Sequence, residues 1–190
     1  MSRDVKTVFS EYSLEEMGIK TKGSDAYEVA DCVGSCEEEL DTRIISKKCR
    51  GITVKKVVKG AGTGKLKLSM HMAYDIYTDV YGMNISNLID GVMGYGTNSV
   101  HKEFAITQKV QDEDGNIKYK AYPKCVIETG VARKIENGAE EVAEIELEVS
   151  LMPDDDGQCM YEALASKLTG TLSTTWMTAF SPELAKKTTA

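Results

Sequence analysis

The sequence has few of the residues that interrupt a fold or build an active site. Among its 190 residues are three prolines, two histidines and one tryptophan. No stretch is rich enough in Ser, Gly and Pro to form a linker, so we expect one domain over 1–190, with mobile segments at about 1–25 and 181–190. No apolar run approaches the roughly 18 residues of a membrane span or the length of a signal peptide, so no membrane partner is expected.

Cysteine is scarce, and its odd number leaves no complete set of disulfides. Cys32 and Cys36, with the more distant Cys49, have a C-x3-C spacing but lack the second close pair of a zinc site. His71 and His101 lie far away in sequence. We therefore expect no metal and no cofactor, and instead free thiols that act as small apolar side chains in a reducing compartment. The five cysteines are Cys32, Cys36, Cys49, Cys125 and Cys159.

Positive charge is in deficit, since the net charge is −7. Nucleic-acid binding draws its affinity mainly from Lys and Arg side chains on phosphates, so specific binding of nucleic acid is not expected. An acidic surface would instead suit a path along which nucleic acid moves without being retained, because carboxylate and phosphate groups repel each other.

The stretch VVKGAGTGKLKLS, residues 57–69, looks like a phosphate-binding loop but fails its spacing. A P-loop requires glycine at 59 and a hydroxyl residue at 66, where this chain has Lys59 and Leu66. A dinucleotide-binding loop would need glycine in place of Lys65. A strand pattern follows the glycines, whereas both loops require a helix whose N-terminus receives the phosphate. We expect no nucleotide site, and a glycine-rich turn at 59–64.

Other catalytic patterns are incomplete as well. In DEDGN, residues 112–116, the glycine arrives too early for an EF-hand loop, and a hairpin turn explains the stretch better. The two histidines have no nucleophile motif to serve, since no G-x-S-x-G elbow is present. The sequence therefore predicts that the protein is not an enzyme and has no catalytic residue.

Alternation of apolar and polar residues dominates the chain. It is strict in KLKLSMHM, residues 65–72, and it predicts two hairpins at 103–130 and 131–151, with DEDGN and ENGA as their turns. A further short strand is expected near Ala26–Val29. Strands that come in hairpins, without helices between them, form antiparallel sheets.

Helical periodicity is confined to two segments. Apolar residues of 73–84 recur at i, i+4 and i+7, and Gly82 is placed to end a short helix. Residues 153–168 have acidic residues near the N-terminus and an apolar stripe, and predict a second helix. The tail from Thr171 is expected to begin as a strand. The predicted fold class is mainly β: an antiparallel sandwich or barrel of six to eight strands, with one or two short helices packed against it.

Two charged segments are the candidate functional surfaces. Glu144, Glu146 and Glu148 form a row on one face of the predicted strand, which we call the acidic row. It is either an ordinary solvated face or a surface kept acidic for a function. Residues 37–50, the charged segment, run from acidic to basic and predict an exposed helix turn or an extended arm. Its charged residues are Glu37, Glu38, Glu39, Asp41, Arg43, Lys47, Lys48 and Arg50.

The order of these features resembles the major tail tube proteins of long-tailed bacteriophages and prophage elements. The resemblance spans roughly residues 30–184. It is carried, in order, by VVKGAGTGKLKLSMHMAYDIYTDVYGM, EFAITQKVQDEDGNIKYKAYPKC, EEVAEIELEVSLMPDD and TTWMTAFSP. The family implies a structural virion protein, assembled in the bacterial cytoplasm. It also implies a β-sandwich or barrel core and hexameric rings that stack into a tube for DNA ejection.

The resemblance also implies roles and partners. The lumen would be lined by the hairpin regions 52–72 and 126–150 with the acidic row, or by 104–125 if the two hairpins are exchanged. The charged segment would be an inter-subunit arm. The implied partners are further copies of the chain, a tape measure protein and a tail terminator, while DNA passes through the lumen without specific binding.

Two alternatives stay open. The tube subunit of a contractile bacteriocin or secretion machine would share the fold and most of its physics. A ligand-binding β-sandwich module would instead use aromatic side chains. Tyr74, Tyr77, Tyr81 and Tyr95 are close in sequence, although the packing of a short helix on a sheet explains them better.

Overall fold

Alternating side chains build most of this chain into strands. The computed structural model describes residues 8–30, 33–138, 140 and 142–187. The predicted fold class, mainly antiparallel β with one or two short helices, is confirmed. In chain order the elements are β1 (Ser13–Thr21), β2 (Glu28–Ala30), β3 (Val33–Cys49), β4 (Ile52–Met70), α1 (Tyr74–Val80), β5 (Phe104–Gln111), β6 (Ile117–Ile127), β7 (Ile145–Leu151), β8 (Tyr161–Leu164) and α2 (Leu172–Ala179), with 3-10 turns at Ala165–Lys167 and Pro182–Ala185.

The eight strands of the described residues form one antiparallel sheet. Their order is β2-β1-β5-β6-β7-β4-β3, and β8 pairs with the first part of β6. The sheet rolls onto itself, because β3 lies across from β5 and β6. Gln108 Nε2 contacts Cys36 Sγ at 3.2 Å, and Lys120 Nζ donates to Glu38 at 3.0 Å. The result is a sandwich whose two layers are halves of the same sheet.

The core fills the space between these layers and beneath α1. The alternation predicted at 65–72 is confirmed in the last part of β4, where Leu66, Leu68 and Met70 are buried, and that of the return strand is confirmed in β7, where Leu147, Val149 and Leu151 are buried. The helix predicted at 73–84 is confirmed as α1, after which Gly82 turns the chain at a φ of 61°. These three elements bury Leu66, Leu68, Met70, Ile76, Tyr77, Val80, Leu147, Val149 and Leu151.

One of the two predicted hairpins forms completely. The hairpin at 103–130 is confirmed as β5 and β6, and Asp112 Oδ1 closes its turn by accepting the N–H groups of Asp114 and Asn116. The hairpin at 131–151 is wrong in its first half, since its strand residues belong to β7 alone. β4 pairs along the whole of one edge of β7, and β6 takes Val149–Leu151 of the other, so β7 pairs with strands distant in sequence and not with the segment before it.

The glycine-rich turn predicted at 59–64 is wrong. β4 runs through these residues, and Gly62, with a φ of 78°, occupies an irregularity in the pairing with β3. The chain reverses instead at Arg50 and Gly51, whose φ values are 49° and 80°. Two left-handed residues between paired strands make a type I′ turn, the kind that suits the twist of a hairpin.

The helix predicted at 153–168 is wrong, because the acidic cluster closes a turn. Asp154 Oδ1 accepts the N–H groups of Asp156 and Gln158, both at 2.9 Å. Gly157 adopts a φ of 79°, which a helix does not allow. The chain then extends as β8 and pairs with β6.

The tail is a helix, where the sequence predicts a strand. Side chains that favour strands are present, but tertiary contacts override that preference. Trp176 of α2 is buried, and its Nε1 donates to the carbonyl of Lys120 at 3.0 Å. No helix in the described residues is long and apolar enough to span a membrane.

The N-terminal region contains a strand that the sequence does not predict. β1 pairs with β2 on one side and β5 on the other, and its Met17 is fully buried, although residues 1–25 are predicted to be mobile. The short strand expected near Ala26–Val29 is found as β2. Residues 1–7 and 188–190, which belong to the predicted mobile ends, lie outside the described residues.

Candidate assembly surfaces

The hairpin of β3 and β4 extends beyond the rest of the sheet. The pairing continues from Val33 and Met70 to Cys49 and Ile52, but β7 covers β4 only as far as Gly64. We call residues 42–60 the arm. All of them are exposed except Val57, which is half-buried. An isolated two-stranded hairpin is marginally stable in water, so the arm is a surface that gains most from being covered.

The charge of the arm is entirely positive. It contains seven cationic residues and no Asp or Glu, so it contributes +7. Because the whole chain carries −7, the residues outside the arm carry −14. The arm's cationic residues are Arg43, Lys47, Lys48, Arg50, Lys55, Lys56 and Lys59.

The arm's cations also differ from those of the body in having no ion partner. Within the described residues, none of the seven lies within 4 Å of a carboxylate oxygen, whereas ten lysines of the body do. Among the described residues, most lysines of the body therefore have an ion partner, whereas no cation of the arm has one. Exposed cations of this kind attract an acidic surface.

Apolar side chains are interspersed with these cations. Ile52 is 70% exposed at the arm tip, and Ile44 is 55% exposed farther down. The cross-strand pair of Ile44 and Val58 makes an apolar patch on one face of the ribbon. Exposed apolar side chains that are close together mark interaction sites. The exposed apolar residues of the arm are Ile44, Ile45, Ile52, Val54 and Val58.

The acidic half of the charged segment belongs to the body and not to the arm. Glu37 pairs with Lys67 at 3.5 Å, and Asp41 accepts a hydrogen bond from Thr63 at 2.7 Å. Glu38 faces the opposite layer. The sequence-predicted boundaries of 37–50 therefore shift to 42–60, because residues before 42 keep contacts with the body that the later ones lack. Of the predicted charged residues, Arg43, Lys47, Lys48 and Arg50 lie on the arm.

A buried ion cluster anchors the base of the arm. Lys120 of β6 is only 6% exposed, and its Nζ lies 2.8 Å from Glu11 and 3.0 Å from Glu38. Tyr122 OH donates to the same carboxylate of Glu38. Burial alone would lower the pKa of Lys120, but its hydrogen bonds to Glu11 and Glu38 raise it, so the ammonium stays charged. The cluster joins β3, β6 and the N-terminal segment.

The acidic row lies on the outer face of the sheet, beside two lysines of β4. Glu146 is paired in register with Ser69, and Glu148 with Lys67. These lysines are already engaged, since Lys67 pairs with Glu37 and Lys65 with Glu128 at 2.8 Å. In the described part of the chain, no cation lies within 4 Å of Glu144, Glu146 or Glu148. The row consists of carboxylates that are exposed and unpaired.

The segment before β7 turns this row into a groove. Residues 132–136, 138 and 142–144 line it together with Ser69 and Glu146 of the sheet, and its volume is about 980 Å³. Two apolar side chains of the lining are largely exposed: Ile135 is 89% exposed and Val142 is 82% exposed. We call this the acidic groove.

The cations of the acidic groove are also engaged. Arg133 stacks on the ring of Tyr77 at 4.4 Å and donates to its hydroxyl, and Lys134 pairs with Glu136 at 3.0 Å. Glu144 accepts a hydrogen bond from Ser69 and has no cationic partner among the described residues. The described lining of the groove has two cations and three carboxylates, so it presents a net charge of −1 together with apolar surface.

The cysteines considered for a metal site do not converge. Cys36 and Cys49 lie at opposite ends of β3, Cys32 is outside the described residues, and no group of three metal-ligating side chains occurs in the described part.

Three of the four tyrosines considered for ligand binding lie together, since the ring centroid of Tyr81 is 5.0 Å from that of Tyr77 and 6.1 Å from that of Tyr95. Tyr77 and Tyr81 are buried and pack α1 onto the sheet, which removes them from the surface that a ligand would contact. Tyr74 and Tyr95 are exposed.

Comparison with known proteins gives little further information. No protein-family model matches the chain, and no curated protein matches it. Among solved structures, the cryo-EM structure of the anti-feeding prophage cap, the AFP tube terminating cap, is similar over 86% of this chain and 99% of that chain, with 9% identity and a TM-score of 0.49. Neither fold nor function is inferred from a likeness of that size.

Proposed function

We propose that this protein is a non-enzymatic structural subunit that assembles with copies of itself into stacked rings forming a tube. The observation that carries the proposal is the arm, an ordered hairpin of unpaired cations and exposed apolar side chains on an otherwise acidic body. An exposed hairpin of this kind is marginally stable alone and is stabilised when another surface covers it. A second copy of the chain can provide this surface, because every copy carries both a cationic arm and an acidic body.

The sheet edges support the same proposal. β2 and β3 end the strand order, so each leaves one row of backbone N–H and C=O groups without a strand partner among the described residues. The described edge of β3 contains no proline, which would prevent a further strand from pairing. Edge-to-edge pairing between copies would continue the sheet around a ring.

The finer assignment is a major tail tube protein of a phage or prophage particle. The resemblance in sequence pattern supports it and implies hexameric rings, a lumen for DNA, a tape measure protein and a tail terminator as partners, and assembly in the bacterial cytoplasm. The tube subunit of a contractile machine is the second candidate. A sheath gene beside this one in the genome would favour it.

Electron microscopy of the purified chain tests the proposal. We expect rings or tubes with a central hole to appear as concentration is raised over about a hundredfold range, with light scattering giving the mass of the ring. A monodisperse monomer at every concentration would contradict self-assembly.

A further inference from the structure

We propose that the arm of one copy docks into the acidic groove and along the acidic row of a second copy. The inference rests on the proposed self-assembly and adds to it the identity of the receiving surface. It also gives the acidic row a role other than the lumen lining predicted from sequence.

The arm does not reach the groove of its own chain. Both belong to β4, with Ser69 in the groove floor and Lys55 and Lys56 on the arm. These positions are separated by 13 or more residues of one strand. At about 3.3 Å per residue the separation is roughly 40 Å along the strand, and the arm points away from the groove. Only another molecule places the two surfaces in contact.

The two surfaces match in charge and in polarity. The arm presents seven unpaired cations, and the groove and row present three carboxylates, Glu144, Glu146 and Glu148, that lack a cation among the described residues. Ile44 and Ile52 of the arm would meet Ile135 and Val142 of the groove. Contacts of this mixed kind combine electrostatic attraction with apolar burial.

A nucleic acid is the other partner that a cationic ribbon attracts. The charge of −14 outside the arm repels a phosphate chain and a second copy alike, so it does not choose between them. The apolar residues of the arm favour a second copy, because the groove offers the exposed side chains of Ile135 and Val142 whereas a phosphate backbone offers no apolar surface. Because arm and groove are different surfaces, the contact is heterologous and propagates from copy to copy, as a ring or tube requires.

Charge reversal on each side tests the contact. The arm variant is Lys47→Glu with Lys48→Glu, and the groove variant is Glu144→Lys with Glu146→Lys. We expect each variant to raise the concentration needed for assembly at least tenfold, and the combined variant to recover most of that loss, because attraction is restored with exchanged signs. Recovery in the combined variant is the result that general destabilisation cannot produce.

Matched controls carry the same change of charge elsewhere. Lys167→Glu with Lys187→Glu, and Glu113→Lys with Asp114→Lys, alter exposed side chains outside both surfaces and should leave assembly unchanged. Thermal unfolding of each variant checks that the monomer is intact. If a groove variant fails to fold, Glu146→Gln serves in its place, because it removes one charge without adding another.

The outcomes separate this inference from the proposed function. A wild-type chain that never assembles contradicts both. Normal assembly by the arm and groove variants contradicts the docking contact and leaves self-assembly standing. If the groove variant assembles normally but slows DNA release, the acidic row would be assigned to the lumen, as the resemblance in sequence implies. Loss of DNA retention in a gel-shift assay by the arm variant, without loss of assembly, would assign the arm to nucleic acid.

A crosslink gives a direct measurement. Cys49 is exposed beside the turn of the arm, so a maleimide–benzophenone reagent attached there reports what the tip touches. In a mixture of 14N and 15N chains, we expect crosslinks that join the two isotopes and map to 132–146, and their absence in Cys49→Ser. Crosslinks confined to one chain, or mapping to another surface, would overturn the inference.

Discussion

At the scale of single residues, Lys120 shows how a buried charge defines a packing arrangement. A buried ammonium is costly unless carboxylates meet it, and Glu11 and Glu38 come from two separate segments to do so. Removing either carboxylate would leave the ammonium less compensated. The pair therefore specifies how the base of the arm and the N-terminal segment sit on β6.

This cluster predicts a loss of stability in acid. Burial alone would raise the pKa of Glu11, but hydrogen bonds from Lys118 and Lys120 lower it below its ordinary 4.5. A carboxyl whose pKa is lower in the folded state stabilises the fold above its unfolded pKa, and this is lost as pH falls through the folded pKa. Because nearly half of the Glu11 side chain is exposed, Glu11→Gln should cost about 1 kcal/mol near neutral pH.

Denaturant unfolding at a series of pH values measures this effect. The curves of wild type and Glu11→Gln should converge as pH falls below 4.5. Glu113→Gln, an exposed carboxyl in the β5–β6 turn, is the matched control and should follow wild type throughout. A difference between wild type and Glu11→Gln that does not change with pH would rule out the ion pair as its cause.

At the scale of elements, strand patterns proved more predictable than turns and helices. Over β4 and β7 alternation reports directly which side chains face the core. The turn at Arg50 and Gly51 has only one glycine, while the richer glycine run lies inside β4. Glycine content therefore predicted the chain reversal at the wrong position. The arm is recognised only from the pairing of β3 with β4.

We predict that the arm can be removed without unfolding the domain. Replacing residues 44–58 by Asn-Gly joins Arg43 and Lys59, which are cross-strand partners, through a type I′ turn. Because the deleted residues are exposed, apart from the half-buried Val57, and lack ion partners among the described residues, the melting temperature should change little. Assembly should be lost, and light scattering should show a monomer.

Excision has a matched control in the β5–β6 turn. Shortening DEDGN at 112–116 to Asn-Gly changes another exposed turn and should leave assembly intact, although it removes the hydrogen bonds of Asp112 and costs some stability. A shortened arm that still forms tubes would show that the sheet edges suffice for assembly.

At the scale of the whole molecule, the chain is divided into a cationic arm and an anionic body. Net charge describes this poorly, because −7 is the sum of +7 on the arm and −14 elsewhere. Within one molecule the two parts are held apart by the length of β4. Their attraction is therefore available for contacts between molecules.

This separation predicts that assembly weakens with salt. Raising the ionic strength from about 0.05 M to 0.5 M shortens the Debye length to a few ångströms and screens exposed charges, so the concentration needed for assembly should rise at least tenfold. Sedimentation at several salt concentrations measures it, with thermal unfolding as the check on the monomer. Assembly that strengthens with salt would instead show that apolar burial dominates the contact.

The sequence alone determined the fold class, the core faces of β4 and β7 and the short helix α1, and it singled out the carboxylates of the acidic row and four of the arm's seven cations. These features follow from local periodicity and composition, because the geometry of a strand or a helix decides which residues of a short segment share a face. The tertiary structure decided the rest. Asp154 closes a turn where a helix is predicted, and α2 replaces a predicted strand, because contacts from distant segments outweigh weak local preferences. Where the arm begins, and that its cations have no partner among the described residues, depends on which strands lie side by side. That is decided by packing over long separations in sequence, which local patterns do not encode.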